Sequence, residues 1–154
     1  MALFDKFPHK HQKTHDDYIP ESDYEAWIGI LYACVSADGD DSNTEIESLS
    51  RMIAMKQKFS RIDILPLYER VEEIHAKIGG AALITACAKM VDESDKDTLF
   101  SMAVEIVLAD GILDEKEEKT IEFIAQQMAI AQETVDKIVE VMLIRNRGNL
   151  IMLD

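Results

Sequence analysis

The fold is decided by the stretch YACVSADGDDSNTEIESL, residues 32–49. An apolar helical segment ends there in Ala37-Asp38-Gly39, and Ser42 with Glu45 has the spacing of a capping box at a helix N-terminus. The stretch predicts a helix, an Asp-Gly turn and a second, capped helix. A shift of 72 residues, with no gap, brings the pattern back as VEIVLADGILDEKEEKTI, residues 104–121.

The repeat extends on both sides of this motif and indicates a duplicated unit. Upstream, apolar residues at helical spacing coincide in the two copies: Trp27, Ile30, Leu31, Cys34 and Val35 fall on Leu99, Met102, Ala103, Ile106 and Val107. Downstream, the apolar stripe of a third helix in the first copy also matches one in the second copy, once the alignment is moved by one residue. We predict repeat one over residues 22–78, a bridging helix over 80–91 and repeat two over 95–147.

The fold class that follows is all-α, with about seven helices in a single compact domain of two pseudo-symmetric repeats. Few prolines, few glycines and 6% aromatic residues favour helices over a sheet. Residues 1–20 are polar and lack a sustained period, so we predict a flexible N-terminal arm, followed by one helical domain over 21–154. The third helix contains Pro66, which predicts either a start near Leu65 or a kink.

Charge and cysteine content restrict the environment and the partners. A net charge of -14 repels nucleic-acid phosphates and anionic lipid headgroups, and favours metal cations or basic partners. No apolar run is long enough for a membrane span, and we expect no direct membrane insertion. Cys34 and Cys87 lie far apart in apolar helical stretches, so we predict core thiols in a reducing, cytoplasmic compartment.

The candidate site is the pair of acidic turns. Helix C-caps and capping boxes explain the glycines and the glutamates, but not Asp38 and Asp110, which face the negative end of a helix dipole. A bound cation would reverse that penalty, and we expect the two turns to lie on the same side of the domain. The predicted metal-ligating residues are Asp38, Asp40, Asp41, Glu45, Asp110, Asp114 and Glu117, with Asn43 and Glu115 nearby.

The ligand chemistry favours a hard cation, because every candidate donor in the turns is an oxygen. We expect Ca²⁺ first, with Zn²⁺ or Mn²⁺ as alternatives. The turns are not EF-hands, since Leu49 and Ile121 stand where that loop needs its closing glutamate. The structural alternative is that the motif only caps a helix-turn-helix.

Other candidate chemistry is weaker. His9, His11 and His15 in the arm include an i, i+4 pair that could chelate Zn²⁺ or Ni²⁺, against the alternative of a solvated tail. His75 and most of the methionines are interpreted as packing residues. The sequence contains no nucleophile elbow, phosphate loop, HExxH or CxxC, so we expect no enzyme. An enzyme using Mg²⁺ or Mn²⁺ in phosphoryl chemistry is disfavoured, because no basic phosphate clamp accompanies the turns.

Two copies of Ala-Asp-Gly followed by a capped Glu helix, in an acidic all-helical chain, resemble the tellurite-resistance TerB family over residues 22–147. The resemblance implies an α-helical pseudo-twofold fold and an acidic surface cluster proposed to bind divalent metal. It also implies a non-catalytic role in tellurite and chemical-stress resistance, beside other Ter proteins at the inner face of the membrane. The motif residues carried over are Asp38, Glu45, Asp110 and Glu117; Ser42 stands where the second repeat has Asp114.

The expected function is therefore a cytoplasmic divalent-metal-binding module that acts through protein partners in such a resistance system. The main alternative is a metal-free acidic scaffold that binds a basic partner.

Overall fold

The computed structural model describes residues 18–37, 43–109 and 113–149, the side chains of 43–46 and 48 excepted. Within these ranges the chain is helical and contains no strand. Six α-helices follow one another: α1 Asp23–Val35, α2 Asn43–Ala54, α3 Ile64–Ala88, α4 Lys96–Val107, α5 Glu115–Gln127 and α6 Gln132–Arg145. Short 3₁₀ turns precede α3 and α4, at Gln57–Phe59 and Glu93–Asp95. The all-α prediction is confirmed.

Local signals set the beginnings of the helices. Ser22 caps α1, its Oγ accepting the Glu25 N–H at 3.2 Å. Asp63 caps α3 by accepting the Leu65 N–H at 3.2 Å, so Pro66 lies in the first turn, where a missing N–H costs no hydrogen bond. Of the two alternatives for Pro66, the start near Leu65 is correct.

The described residues form six helical runs, one fewer than the count of about seven predicted, because the run α3 joins two helices across a kink. The predicted third helix and the predicted bridging helix over 80–91 are these two helices, the second of which ends at Ala88. At Gly79 the backbone leaves the helical region, with φ 83° and ψ 168°, a conformation that a residue without a Cβ adopts readily. The boundary predicted between residues 78 and 80 is therefore confirmed, since the backbone leaves the helical region there and a second helix follows directly.

The duplication is visible in the helix bounds and in the packing. The ends of α1 and α4 at Val35 and Val107, and the starts of α2 and α5 at Asn43 and Glu115, differ by 72 residues. The first helices of the two units, α1 and α4, pack against each other, while α2 and α5 each contact both of them. Each unit thus completes its core with a helix from the other unit.

The core differs from a simple amphipathic pattern. Every residue of α1 from Glu25 to Val35 is buried, whereas the sequence predicts one apolar face. The two units also differ, since the first half of α3 buries Val71 while α6, its counterpart, has no fully buried residue. The central position of α1, covered by α3, α4 and α5, explains its burial on all sides.

Both cysteines are buried in the core, as predicted. The Sγ atom of Cys87 packs against Gly29, and a Cβ placed on Gly29 would lie only 2.4 Å from it. Gly29 therefore permits the close contact between α1 and the second half of α3.

Among the described residues, no single helix has both the length and the apolar character needed to cross a membrane. Two consecutive segments, Ile64–Ala88 and Glu93–Val107, meet the length and composition needed for a span only when they are counted together, and the angle between them is 116°.

Candidate metal centre

The first acidic turn leaves α1 from a well-anchored end. The Ser36 N–H donates to the Tyr32 carbonyl at 3.0 Å, and Ser36 Oγ lies 3.2 Å from His75 Nε2 in α3. The Tyr32 ring meets the His75 ring edge-on at 5.2 Å between centroids. This confirms the packing role predicted for His75. It also means that the residues just before the turn are held by α3.

Most of the predicted ligands lie outside the described part of the chain. This applies to Asp38, Asp40, Asp41 and Asp110, and to the side chain of Glu45. The arm residues His9, His11 and His15 are outside it as well. The predictions made for these residues therefore stay predictions, including that of a shared side for the two turns.

The second turn leads into a complete capping box at the start of α5. Asp114 Oδ1 accepts the Glu117 N–H at 2.8 Å, and Glu117 Oε1 accepts the Asp114 N–H at 3.2 Å. The side chain of Glu117 is almost fully buried, while that of Asp114 is partly exposed. Asp114 and Glu117 are thus brought together, and the helix-capping role predicted for them is confirmed.

The electrostatics of this helix start favour carboxylates. Glu115, Glu117 and Glu118 occupy the first turn of α5, near the positive end of its dipole. Glu115 also pairs with Lys119 at 3.2 Å on the surface. Acidity after the second turn therefore has a structural explanation that needs no cation.

The donor atoms at the second turn also fit a hard cation. Capping engages Asp114 through Oδ1, and a carboxylate can bind a cation through its other oxygen without giving up the cap. Within residues 18–37, 43–109 and 113–149, no three His, Cys, Asp or Glu side chains form a group able to hold a metal ion. A site there would need ligands from the turns themselves.

A cavity of about 500 Å³ opens at the end of α1, between α1, α3 and α5. Its wall includes Ala37, His75 and Phe123, and is mostly apolar. The two units therefore meet around a partly open space at the end of α1, although its wall offers few metal ligands.

A buried ionic cluster at the start of α1 is not foreseen from the sequence. The carboxylate of Glu25, which is fully buried, accepts hydrogen bonds from Tyr18 Oη at 2.7 Å and Arg70 Nε at 2.8 Å. It also accepts the Glu21 N–H at 3.3 Å. Spacing indicates only a capping box with Ser22, and no local signal connects Glu25 with a residue of α3.

Burial in this cluster changes two pKa values. Burial, together with the charge of Glu25, raises the pKa of the Cys87 thiol to about 12. Burial, the neighbouring Cys87 and the hydrogen bond to Glu25 raise the pKa of Tyr18. Both groups are therefore neutral at physiological pH, which fits packing rather than acid-base chemistry.

Fold and turns together define an acidic, all-helical domain made of two interleaved helix-turn-helix units. A family model described as Tellurite resistance protein TerB matches residues 24–140, about three quarters of the chain. The chain belongs to the TerB family. Comparisons with curated proteins and with solved structures give no match.

Proposed function

We propose that this TerB-family chain is a cytoplasmic divalent-metal-binding module that contributes to tellurite and chemical-stress resistance through protein partners. The partners would be other Ter proteins at the inner face of the membrane. The observation that carries the proposal is the family match, which spans both acidic turns. Membership supports the connection with tellurite resistance, and the metal, the compartment and the partners are proposed from it.

Metal binding is supported by the donors that the duplicated motif supplies. The candidate ligands are Asp38, Asp40, Asp41, Glu45, Asp110, Asp114 and Glu117. All are carboxylates, so Ca²⁺ is the preferred ion, with Mn²⁺ or Zn²⁺ as alternatives. The proposed module has no catalytic activity of its own.

The second candidate function is a metal-free acidic scaffold for a basic partner. The observation that favours it is the capping box of Asp114 and Glu117, which accounts for both carboxylates without a cation. The two functions differ in whether a divalent ion stabilises the fold.

Calorimetry and thermal melts of the chelator-stripped chain with Ca²⁺, Mn²⁺ and Zn²⁺ test the proposal. A cation that binds only the folded state raises the free energy of unfolding by about 2.7 kcal/mol at a hundredfold excess over Kd. For a domain of this size, that corresponds to a Tm increase of roughly 5–10 °C. No shift with any of these ions at millimolar concentration would favour the scaffold.

Two substitutions at one position separate capping from metal binding. In Asp114→Asn the side-chain carbonyl can still accept the Glu117 N–H, but the ligand charge is lost. In Asp114→Ala both the hydrogen bond of the helix cap and the ligand charge are lost. We expect Asp114→Asn to keep the apo Tm and to reduce the Ca²⁺ shift, and Asp38→Asn/Asp110→Asn to abolish the shift. An unchanged Ca²⁺ shift in all of these variants would place the ion elsewhere.

The arm histidines are a separate source of Zn²⁺ or Ni²⁺ binding and need their own control. Replacing His9, His11 and His15 by alanine in the full chain should leave the Ca²⁺ shift unchanged. If it removes all metal binding, the turns are not the site. In-cell crosslinking with and without Ca²⁺ tests the partners: capture of Ter proteins is expected, and capture of none contradicts the partner proposal.

A further inference from the structure

A groove of about 330 Å³ lies between α2, α4 and α6. The proposed metal site does not depend on this groove. Its lining contains four of the eight methionines of the chain: Met52, Met55, Met102 and Met142. The other lining residues are Lys56, Ser101, Glu105 and Arg145. Met52 and Met55 are close in the sequence, but Met102 and Met142 are distant from them and from each other, and the packing of three helices gathers the four.

The apolar surface continues beyond the groove. Met55 at its edge is 83% exposed. On α6, Val141 lies one helical turn before Arg145, on the same side, and Ile144 follows at i+3. Val141 and Ile144 are 60% and 69% exposed. These exposed apolar side chains lie at the groove or within one helical turn of residues that line it, and exposed apolar patches on a folded chain commonly mark interaction sites.

The charge around the groove has the opposite sign to that of the molecule. Two cations, Lys56 and Arg145, line it, against the single carboxylate of Glu105, which pairs with Arg145 at 3.0 Å. The chain as a whole carries -14. A partner with carboxylates beside its apolar residues would therefore find local attraction at this groove, against the repulsion from the net charge of the chain.

Methionine suits a surface that binds a helix. Its unbranched side chain adapts to the shape of a partner, and Met-lined grooves accept the apolar face of amphipathic helices. We propose that this groove docks an amphipathic helix of a partner protein, with an apolar stripe at i, i+3/i+4 and i+7 and with acidic flanks. The proposal rests on the part of the proposed function in which the chain acts through protein partners, and it needs no metal.

Two synthetic helical peptides test the docking by fluorescence anisotropy, with the full chain in EDTA and about 0.15 M salt, where charges are screened beyond about 8 Å. Both carry the same leucine stripe, one with glutamate flanks and the other with lysine flanks. We expect the glutamate peptide to bind at least tenfold more tightly. The net charge of the chain works against this order, so the result would come from the groove.

Three substitutions and an internal reference locate the site. Met55→Glu and Ile144→Glu should each weaken binding of the glutamate peptide about tenfold, since both side chains are exposed and the fold should be kept. The matched control is Leu65→Glu, another exposed apolar residue, 60% exposed and outside the groove, which should change binding less than twofold. In methyl NMR, the four groove methionines should shift on binding while the buried Met128 does not.

Specific results would overturn the proposal. It is wrong if the lysine peptide binds as tightly as the glutamate peptide, or if Met55→Glu and Ile144→Glu bind like the unmodified chain. It is also wrong if sedimentation shows a dimer that Met55→Glu dissociates, because the occupant is then a second copy. Since EDTA is present throughout, none of these results bears on the metal proposal.

Discussion

The contact between Gly29 of α1 and Cys87 of α3 provides a sharp test of the packing between these two helices. A Cβ added at Gly29 would lie 2.4 Å from Cys87 Sγ, far inside van der Waals contact, and 3.4 Å from Leu83 Cδ1. Both neighbours are fully buried in the core. In Gly29→Ala, the new methyl group would therefore clash with the Cys87 sulfur and with no other neighbouring side chain.

The expected magnitudes follow from that geometry. Overpacking costs about 1–3 kcal/mol, and alanine in place of glycine in a helix returns about 1 kcal/mol. Gly29→Ala should thus lower the free energy of unfolding by up to about 2 kcal/mol. Cys87→Ala should cost about 1 kcal/mol for the lost buried sulfur. In the double variant the new methyl group occupies part of the vacated space, so its stability should be within about 1 kcal/mol of the original.

Urea denaturation of the four proteins in this double-mutant cycle measures the coupling, which we expect to be about 1–3 kcal/mol. Gly80→Ala is the matched control, because its added Cβ would lie at an ordinary 3.6 Å from His75 Nε2 and should show no coupling to Cys87. If the losses of unfolding free energy in the two single variants add up to the loss in the double variant within about 0.5 kcal/mol, the close approach of α1 and α3 is refuted.

Other predictions concern the buried cluster, the thiols and the second turn. Arg70→Met should lower the free energy of unfolding in urea by about 3 kcal/mol by leaving the buried Glu25 carboxylate without its cation; a loss below about 0.5 kcal/mol would mean that water already solvates Glu25. Folding raises the pKa of the Cys87 thiol from an ordinary value near 9 to about 12. The neutral thiol therefore makes its full contribution to the free energy of unfolding below pH 9, and this contribution is lost as the pH rises towards 12. Melts across this range should show a steeper fall in Tm for the original chain than for Cys87→Ala, and equal slopes would contradict the burial of the thiol. A thiol reagent at pH 8 should label Cys34 and Cys87 only after denaturation, since both are buried; rapid labelling of the native chain would contradict this. Asp114→Ala should cost about 1 kcal/mol through the lost helix cap, and Asp114→Asn much less; equal losses would show that the charge, and not the hydrogen bond, stabilises the start of α5.

The helical class, the duplication and most helix bounds follow from the amino-acid sequence without tertiary information. Caps and i, i+4 patterns act within a few residues, so spacing is enough to assign Asp114 and Glu117 to a capping box. The same locality explains why the acidic turns can be recognised as a candidate site. Whether these turns bind metal depends on how their carboxylates are placed relative to one another, which spacing does not determine.

Features that depend on contacts between distant segments emerge only when the helices pack. Burial of α1 on all sides and the cluster of Glu25 with Arg70 both need helices from other parts of the chain. The groove of four methionines arises in the same way from α2, α4 and α6. Periodicity tells which face of a helix is apolar, but the neighbour that covers this face, or leaves it exposed, is chosen by the tertiary packing.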